Sequence, residues 1–272
     1  MNTAIVDIGS NAIKYKIFDD KFNVVEYYRH PLRLGRDVFK NGSLQESTIK
    51  KVVKLLTSYL EIFLDQGIDY YFIATSALRD CENSSELLSE LINKNIHVNI
   101  ISGDTEASLL SELNKDIENS AVIDIGGGSV ELCINKKNKI YAKSFQLGAV
   151  RLLNLTQEKK LKALDELRNW LKQFAKIDHL YGLGGNLKAL MAVNQLKDVL
   201  TTKKFKTYTQ NYLSVPTNEL ITTYKIPQDR VDIIPEALKL YEIIIDELAA
   251  DTIEYSFWSI SDGLAKKIIT DQ

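Results

Sequence analysis

The chain has 272 residues, 45% hydrophobic and 26% charged, with a formal net charge of −2. This length suits two domains of ordinary size, and a charge so near neutrality argues against a general nucleic-acid binder, which is basic overall. Two cysteines without CxxC spacing and three scattered histidines argue against a disulfide framework and a zinc site. The N-terminus opens directly on a strand and no apolar run approaches ~20 residues. Neither a signal peptide nor a membrane span is therefore expected, and the expected location is cytoplasmic.

The first predicted element is a hairpin. Ala4-Ile5-Val6 leads into Asp7-Ile8-Gly9-Ser10-Asn11, then an alternating stretch of Ile13, Tyr15 and Ile17, then a polar turn at Asp19-Asp20-Lys21. A polar stretch with Arg33-Leu34-Gly35-Arg36 follows. Ile49, Val52, Val53, Leu56, Tyr59, Leu60 and Phe63 keep one apolar face of a helix from about Ser47 to Gln66, with Gly67 suited to its C-terminal cap. Next come a strand from Tyr70 to Ala74, a helix carrying Leu87, Leu88, Leu91 and Ile92, a strand through Ile96, Val98 and Ile100, and a helix from near Asp104.

The second half repeats the first. Ala121-Val122-Ile123 leads into Asp124-Ile125-Gly126-Gly127-Gly128-Ser129, 117 residues beyond the first copy, and Val130, Leu132 and Ile134 alternate after it. An amphipathic helix is predicted from about Gln157 to Ala175, then a strand from His179 to Leu183 that ends in Gly184-Gly185-Asn186, where another helix starts. Pro235 suits the first turn of a long helix, and a strand from Thr252 to Phe257 and a helix from about Ser261 close the chain. Strands alternating with helices predict an α/β fold. The repeated hairpin predicts two similar domains, divided near Glu118-Asn119-Ser120, with a cleft between them.

A carboxylate ending a buried strand is costly unless paired or metal-bound, and glycine lets backbone amides approach an anion. Asp7 and Asp124 are therefore candidate ligands for a hard cation, Mg²⁺ or Mn²⁺, accompanying a phosphoryl group. Gly126, Gly127, Gly128 and Ser129 form one candidate phosphate cradle; Gly184, Gly185 and Asn186, at a helix N-terminus, form another. Glu131 lies seven residues past Asp124, on the opposite strand face unless a bulge intervenes, and spacing leaves its partnership with Asp124 open. Arg79 carries a planar fork that either reaches a phosphate or lies on a helix surface. Glu106 occupies a first helical turn, where any acid complements the dipole. Lys203-Lys204-Phe205-Lys206 offers either a polyanion track or a solvated face.

Several segments, taken in order, resemble the exopolyphosphatase/guanosine pentaphosphate phosphatase (Ppx/GppA) family over nearly the whole chain. They are Asp7 to Asn11, Arg33-Leu34-Gly35, Ala74-Thr75-Ser76-Ala77-Leu78-Arg79-Asp80, and Ile101-Ser102-Gly103 with Glu106-Ala107. Asp124 to Glu131, Leu147-Gly148-Ala149-Val150-Arg151-Leu152, Gly184-Gly185 and Asp229-Arg230 complete the series. The resemblance implies two ribonuclease-H-like domains of the actin/sugar kinase/Hsp70 superfold. Residues 1–118 with a returning C-terminal helix, about 258–272, would form the first, and 119–257 the second. It also implies release of the terminal phosphate of inorganic polyphosphate, or of the 5′ phosphate of pppGpp, with neither a nucleic-acid polymer nor a membrane as partner.

In family terms Glu106 matches the base that activates water. Asp7, Asp124 and Glu131 surround the metal, while Ser10, Asn11, Arg79 and the glycine loops hold phosphate. Val130 and Asn186 stand where the family usually has Thr, Ala12 where Ser is common, and Asp104-Thr105 where an acidic pair is usual. The helical domain that long members add for polyphosphate binding and dimer contacts is not expected here, which favours a short substrate; a homodimer is an assembly the resemblance admits. A non-hydrolytic sensor of polyphosphate or guanosine nucleotides is the competing class, and retention of Glu106, Asp124 and Glu131 argues against it.

Overall fold

A computed structural model describes residues 2–174, 176–196 and 199–270. The first half runs β1 (Thr3–Ile8), β2 (Ile13–Phe18), β3 (Val24–His30), α1 (Leu34–Asn41), α2 (Glu46–Asp65), β4 (Asp69–Ala74), α3 (Ser76–Arg79), α4 (Ser84–Ile92), β5 (Val98–Ile100) and α5 (Gly103–Asn114). The second runs β6 (Ser120–Ile125), β7 (Val130–Lys136), β8 (Lys139–Phe145), α6 (Ala149–Leu152), α7 (Gln157–Leu171), β9 (His179–Leu183) and α8 (Gly184–Val193). It continues through β10 (Leu200–Thr201), α9 (Thr202–Ser214), α10 (Thr217–Thr222), α11 (Ile234–Glu247), β11 (Thr252–Ser256) and α12 (Ile260–Thr270).

Each half builds one mixed sheet. The first has the order β3-β2-β1-β4-β5, with β1, β2 and β3 antiparallel and β4 and β5 parallel to β1. The second repeats it as β8-β7-β6-β9-β11, with β10 added at the edge. Period-two alternation then sorts the side chains. Ala4, Val6 and Ile8 of β1 join Leu56 and Phe63 of α2 and Leu87 of α4 in one core. Ala121, Ile123 and Ile125 of β6 join Leu167, Leu190 and Tyr241 of α7, α8 and α11 in another.

The other faces of the two sheets share a third core. Ile5, Phe18 and Ile73 from the first sheet and Val122, Cys133 and Leu183 from the second enclose Leu109, Leu110 and Leu113 of α5 and Ile260 and Ala265 of α12. Both helices thus leave their own half: α5 packs on β7 and β8, and α12 packs on β1, β2 and α5. The Lys16 ammonium holds α12 in place, bonding Asp262 at 2.7 Å and the Phe257 carbonyl at 2.7 Å. Burial pulls its pKa down, against the pull of Asp262. Asp7 follows Ile5 and Asp124 follows Val122 on these inner faces, so the two aspartates project towards one another's half.

The expected elements are present with small changes of boundary, and the differences have local causes. The stretch around Arg33 is helical as α1, and Ile96 is a fully buried turn residue rather than part of β5. The edge strand β3, missing from the sequence reading, exposes Val24, Val25, Tyr27 and Tyr28 and so shows no apolar/polar alternation. β8, a second edge strand missing from the sequence reading, has a similarly exposed start, and the two-residue edge strand β10 and the helices α9 and α10 were not expected either. The helix expected to reach Ala175 gives way at Lys172 to a short 3₁₀ turn; Ala175 itself, like residues 271–272 of the expected returning helix, lies outside the described residues.

At the crossing of α12 and α5, a Cβ on Gly263 would lie 2.1 Å from the Leu109 carbonyl oxygen. Gly263→Ala should therefore force the helices apart and destabilise the protein by ~1–3 kcal/mol, read as a lower midpoint in urea denaturation.

Candidate active site

Both hairpins close through the same four-residue loop, with Gly9 donating to the Ala12 carbonyl at 3.2 Å and Gly126 to that of Ser129 at 3.0 Å. The register pairs Asp7 with Lys14 and Asp124 with Glu131. This places Glu131 on the same face as Asp124, the alternative that spacing left open. The chain reverses between Ile125 and Val130, and cross-strand partners share a face whatever the spacing, so no bulge is needed. Lys14 and Glu131 are consequently the same position in the two copies, one a cation and the other an acid.

Around these loops lies a pocket of about 80 Å³, lined by Asp7, Ser10, Asn11, Glu106, Asp124, Gly126, Gly127, Ser129, Glu131, Gly184, Gly185 and Asn186. Twelve of the fourteen site residues expected from sequence are thus brought together. The two that stand back are Arg79 and Gly128. The Arg79 guanidinium turns to Glu106, bonding its carboxylate at 2.7 Å and the Ile101 carbonyl at 2.8 Å. Gly128 sits at a contact between the halves, where a Cβ would lie 2.2 Å from the Ser76 hydroxyl and 2.6 Å from the Phe39 ring.

The glycine loop after β6 lines the pocket and is held by backbone bonds to α6. Gly126 and Gly127 offer their carbonyls to the Ala149, Val150 and Arg151 amides of α6. Among the described residues, the amides of Ser10, Asn11, Gly127, Gly128 and Ser129 donate to no backbone carbonyl. The first-turn amides of α8 add to them. Gly184 makes that possible, since its φ of 81° lets β9 turn straight into α8 beside Asp124. Asn186 is anchored by its amide to the Ile125 carbonyl at 3.0 Å.

The electrostatics are dominated by crowded acids. Burial raises Glu106 to about 7, with Arg79 pulling it down and Asp7 and Asp124 pushing it further up. Glu131 is driven well above the usual carboxylate range by burial and by Glu106 and Asp124, although Ser129 and Ser144 oppose the shift. The Ser144 hydroxyl donates to Glu131 at 2.9 Å. Asp124 is raised by burial, against Lys14. Lys14 pairs with Asp7 at 3.1 Å, and that carboxylate raises its pKa. The other Asp7 oxygen is buried with no partner among the described residues. Among the described residues no group of three acids, histidines or cysteines is arranged to hold a metal by itself.

Two lining cations escaped the sequence reading as site residues. Lys14 looked like an ordinary outward residue of an alternating strand; only its offset of 117 from Glu131 marks it. Arg230 enters from the segment before α11, its guanidinium over Gly185, and burial lowers its pKa to about 10. Thr75 and Ser76 complete the wall, Ser76 sharing a 2.9 Å hydroxyl contact with Ser10.

Duplicated sheets whose glycine loops face each other across a small acid-lined pocket define a two-domain α/β protein of the actin-like superfold. The sequence profile of the Ppx/GppA phosphatase family matches residues 14–271, and the chain belongs to that family. It is 31% identical over 234 residues to the bifunctional 3-dehydroquinate synthase/phosphatase of Fusobacterium nucleatum, covering 74% of this chain and 35% of that protein. Exopolyphosphatase 2 of Mycobacterium tuberculosis is 27% identical over 169 residues, 55% of this chain and 53% of its own. The chain therefore spans about a third of one relative and about half of the other. An exopolyphosphatase structure from Cytophaga hutchinsonii superposes with a TM-score of 0.87 at 20% identity, covering 100% of this chain and 98% of that one, and shows the same fold.

The raised Glu106 has a consequence for stability. Its folded pKa of about 7 lies above the ordinary 4.5, so the folded state holds the proton more tightly. The stabilisation is complete below pH 4.5 and is lost as pH rises through 7. Glu106→Gln, neutral throughout, should therefore be more stable than wild type by ~1–3 kcal/mol at pH 8, with the gap closing at pH 5. Thermal denaturation of the ligand-free proteins at both pH values reads this directly.

Proposed function

We propose that the protein hydrolyses the terminal phosphoanhydride of inorganic polyphosphate. The feature that carries this reading is Glu106, a carboxyl that burial raises to about 7, on a pocket lined by the glycine loops of both hairpins. A volume of about 80 Å³ suits one phosphoryl group with its attacking water. The exopolyphosphatase name of the M. tuberculosis relative points the same way.

The amides of the Ser10-Asn11 and Gly127–Ser129 loops, with Lys14 and Arg230, would bind and orient the terminal phosphate. Glu106 would take the proton from water attacking in line with the leaving phosphate, while Arg79 holds the carboxylate in place. Four acids, Asp7, Glu106, Asp124 and Glu131, share the site with Lys14, Arg79 and Arg230, and Glu106 and Glu131 are costly to ionise there unless a further cation enters with the substrate. The cross-strand pair Asp124 and Glu131 fits Mg²⁺ or Mn²⁺, which uses one or two carboxylates and leaves its other positions to water and phosphate. Such an ion supplies charge neutralisation at the transferring group. Asp7, paired with Lys14 through one oxygen, is the weaker candidate ligand, although its other oxygen is buried without a partner among the described residues.

A second reading, removal of the 5′ phosphate of pppGpp, is favoured by a neighbouring recess of about 70 Å³. It shares Lys14, Gly185 and Arg230 with the first pocket and adds Tyr27, Tyr255, Phe257, Trp258 and Lys188, surfaces on which a nucleobase stacks. Among the described residues no helix is long and apolar enough to cross a membrane.

Phosphate release should require Mg²⁺ or Mn²⁺, stop with chelator, and fall at least ~10²-fold in Glu106→Gln. Wild-type turnover in that variant would remove Glu106 from the mechanism. Across a panel of polyphosphates and pppGpp, release from polyphosphate alone supports the first reading and release from pppGpp alone the second. Tight binding without release at any metal concentration would make the protein a sensor.

A further inference from the structure

Arg33-Leu34-Gly35 and Asp229-Arg230, far apart in the chain, meet across the cleft. Arg33 spans three groups at once. Its Nε donates to the Asn11 side-chain oxygen at 2.7 Å, its two terminal nitrogens engage the Asp232 carboxylate at 2.7 and 2.8 Å, and one of them also donates to the Asp229 carbonyl. Asn11 in turn donates to the Asp229 carboxylate at 3.3 Å, which Arg29 of β3 also pairs. The remaining motif residues support the arrangement: Leu34 is fully buried, and the Gly35 amide donates to the Ser10 carbonyl at 2.8 Å.

We propose that Arg33 with Asp229 and Asp232 is a closure clamp. By drawing the halves together it fixes Asn11 on one wall of the phosphate pocket and Arg230 on the other, which makes all three positioning residues. The proposal rests on reading that pocket as the phosphate site. A planar fork is needed here, because only a guanidinium presents donors to Asn11, to a carbonyl and to both oxygens of a carboxylate together. The clamp exists only when the halves are closed, so loosening it lowers the fraction of molecules competent to bind. Apparent affinity falls with that fraction, whereas saturating substrate drives closure and restores the rate.

Asp232→Asn tests this at a half-exposed side chain, where misfolding is not at issue, and Arg33→Lys tests the fork while keeping the charge. For tripolyphosphate, KM should rise about three- to tenfold in Asp232→Asn and more in Arg33→Lys, with kcat for Asp232→Asn within about twofold of wild type. Dyes at Lys54→Cys on α2 and Glu158→Cys on α7 report the separation of the halves, since native Cys81 and Cys133 are buried. Measured in the Glu106→Gln background, which blocks turnover, ligand-free Asp232→Asn should show a longer distance that saturating tripolyphosphate restores. Unchanged KM and unchanged distance, even with a lower melting temperature, would reduce the clamp to a structural contact and overturn the proposal. Should wild type release no phosphate from any substrate, the hydrolase reading fails; the distance measurement and tripolyphosphate titration still decide the clamp.

Discussion

Confining Asp7, Glu106, Asp124 and Glu131 to one pocket is the constraint on which much of this molecule depends. Like charges so close, largely out of water, cannot all stay ionised without compensation. Lys14 answers Asp7, Arg79 answers Glu106, and Arg230 approaches Asp124 from the far side. Among the described residues Glu131 has only hydroxyl donors, too little to offset burial and the neighbouring Glu106 and Asp124, which displace its pKa well upward. The compensation is incomplete, and an incompletely compensated pocket is one that draws in a cation together with its anionic partner.

The duplicated hairpin shows how one geometry serves two ends. Backbone register is the same in both copies, down to the amide-to-carbonyl bond that closes each loop. Divergence is concentrated in side chains. Where the first copy has Ser10, Asn11 and Lys14, the second has two glycines and Glu131. The first copy became the cationic wall, tied by Asn11 to Arg33. The second, stripped of side chains at its tip, lets the first loop press against it and leaves a paired carboxylate behind.

Much of this was legible in the residues. The repeat at 117 residues, the apolar faces of the long helices and the glycine turns ending two strands predicted both the α/β fold and where its pocket lies. Less legible was whatever depends on pairing between distant segments. Parity counting along a strand left the partnership of Glu131 with Asp124 open because it ignores a chain reversal. Arg79 was expected to face phosphate, but its partner is Glu106, twenty-seven residues on and brought near only by the β4–β5 crossover. Edge strands exposed on both faces carry no periodic signal, which is why β3 and β8 were not anticipated.

The interleaving of α5 and α12 between the sheets also governs the order in which the protein can be completed. As the chain emerges during synthesis, α2 and α4 can cover one face of the first sheet early. The opposite face, with Ile5, Phe18 and Ile73, waits for α12, which is made only after the entire second half. Until then that sheet carries bare hydrophobic surface and the lone ammonium of Lys16. A nascent chain paused before α12 leaves this face without its covering helix, and the Lys16–Asp262 bond forms only when α12 arrives.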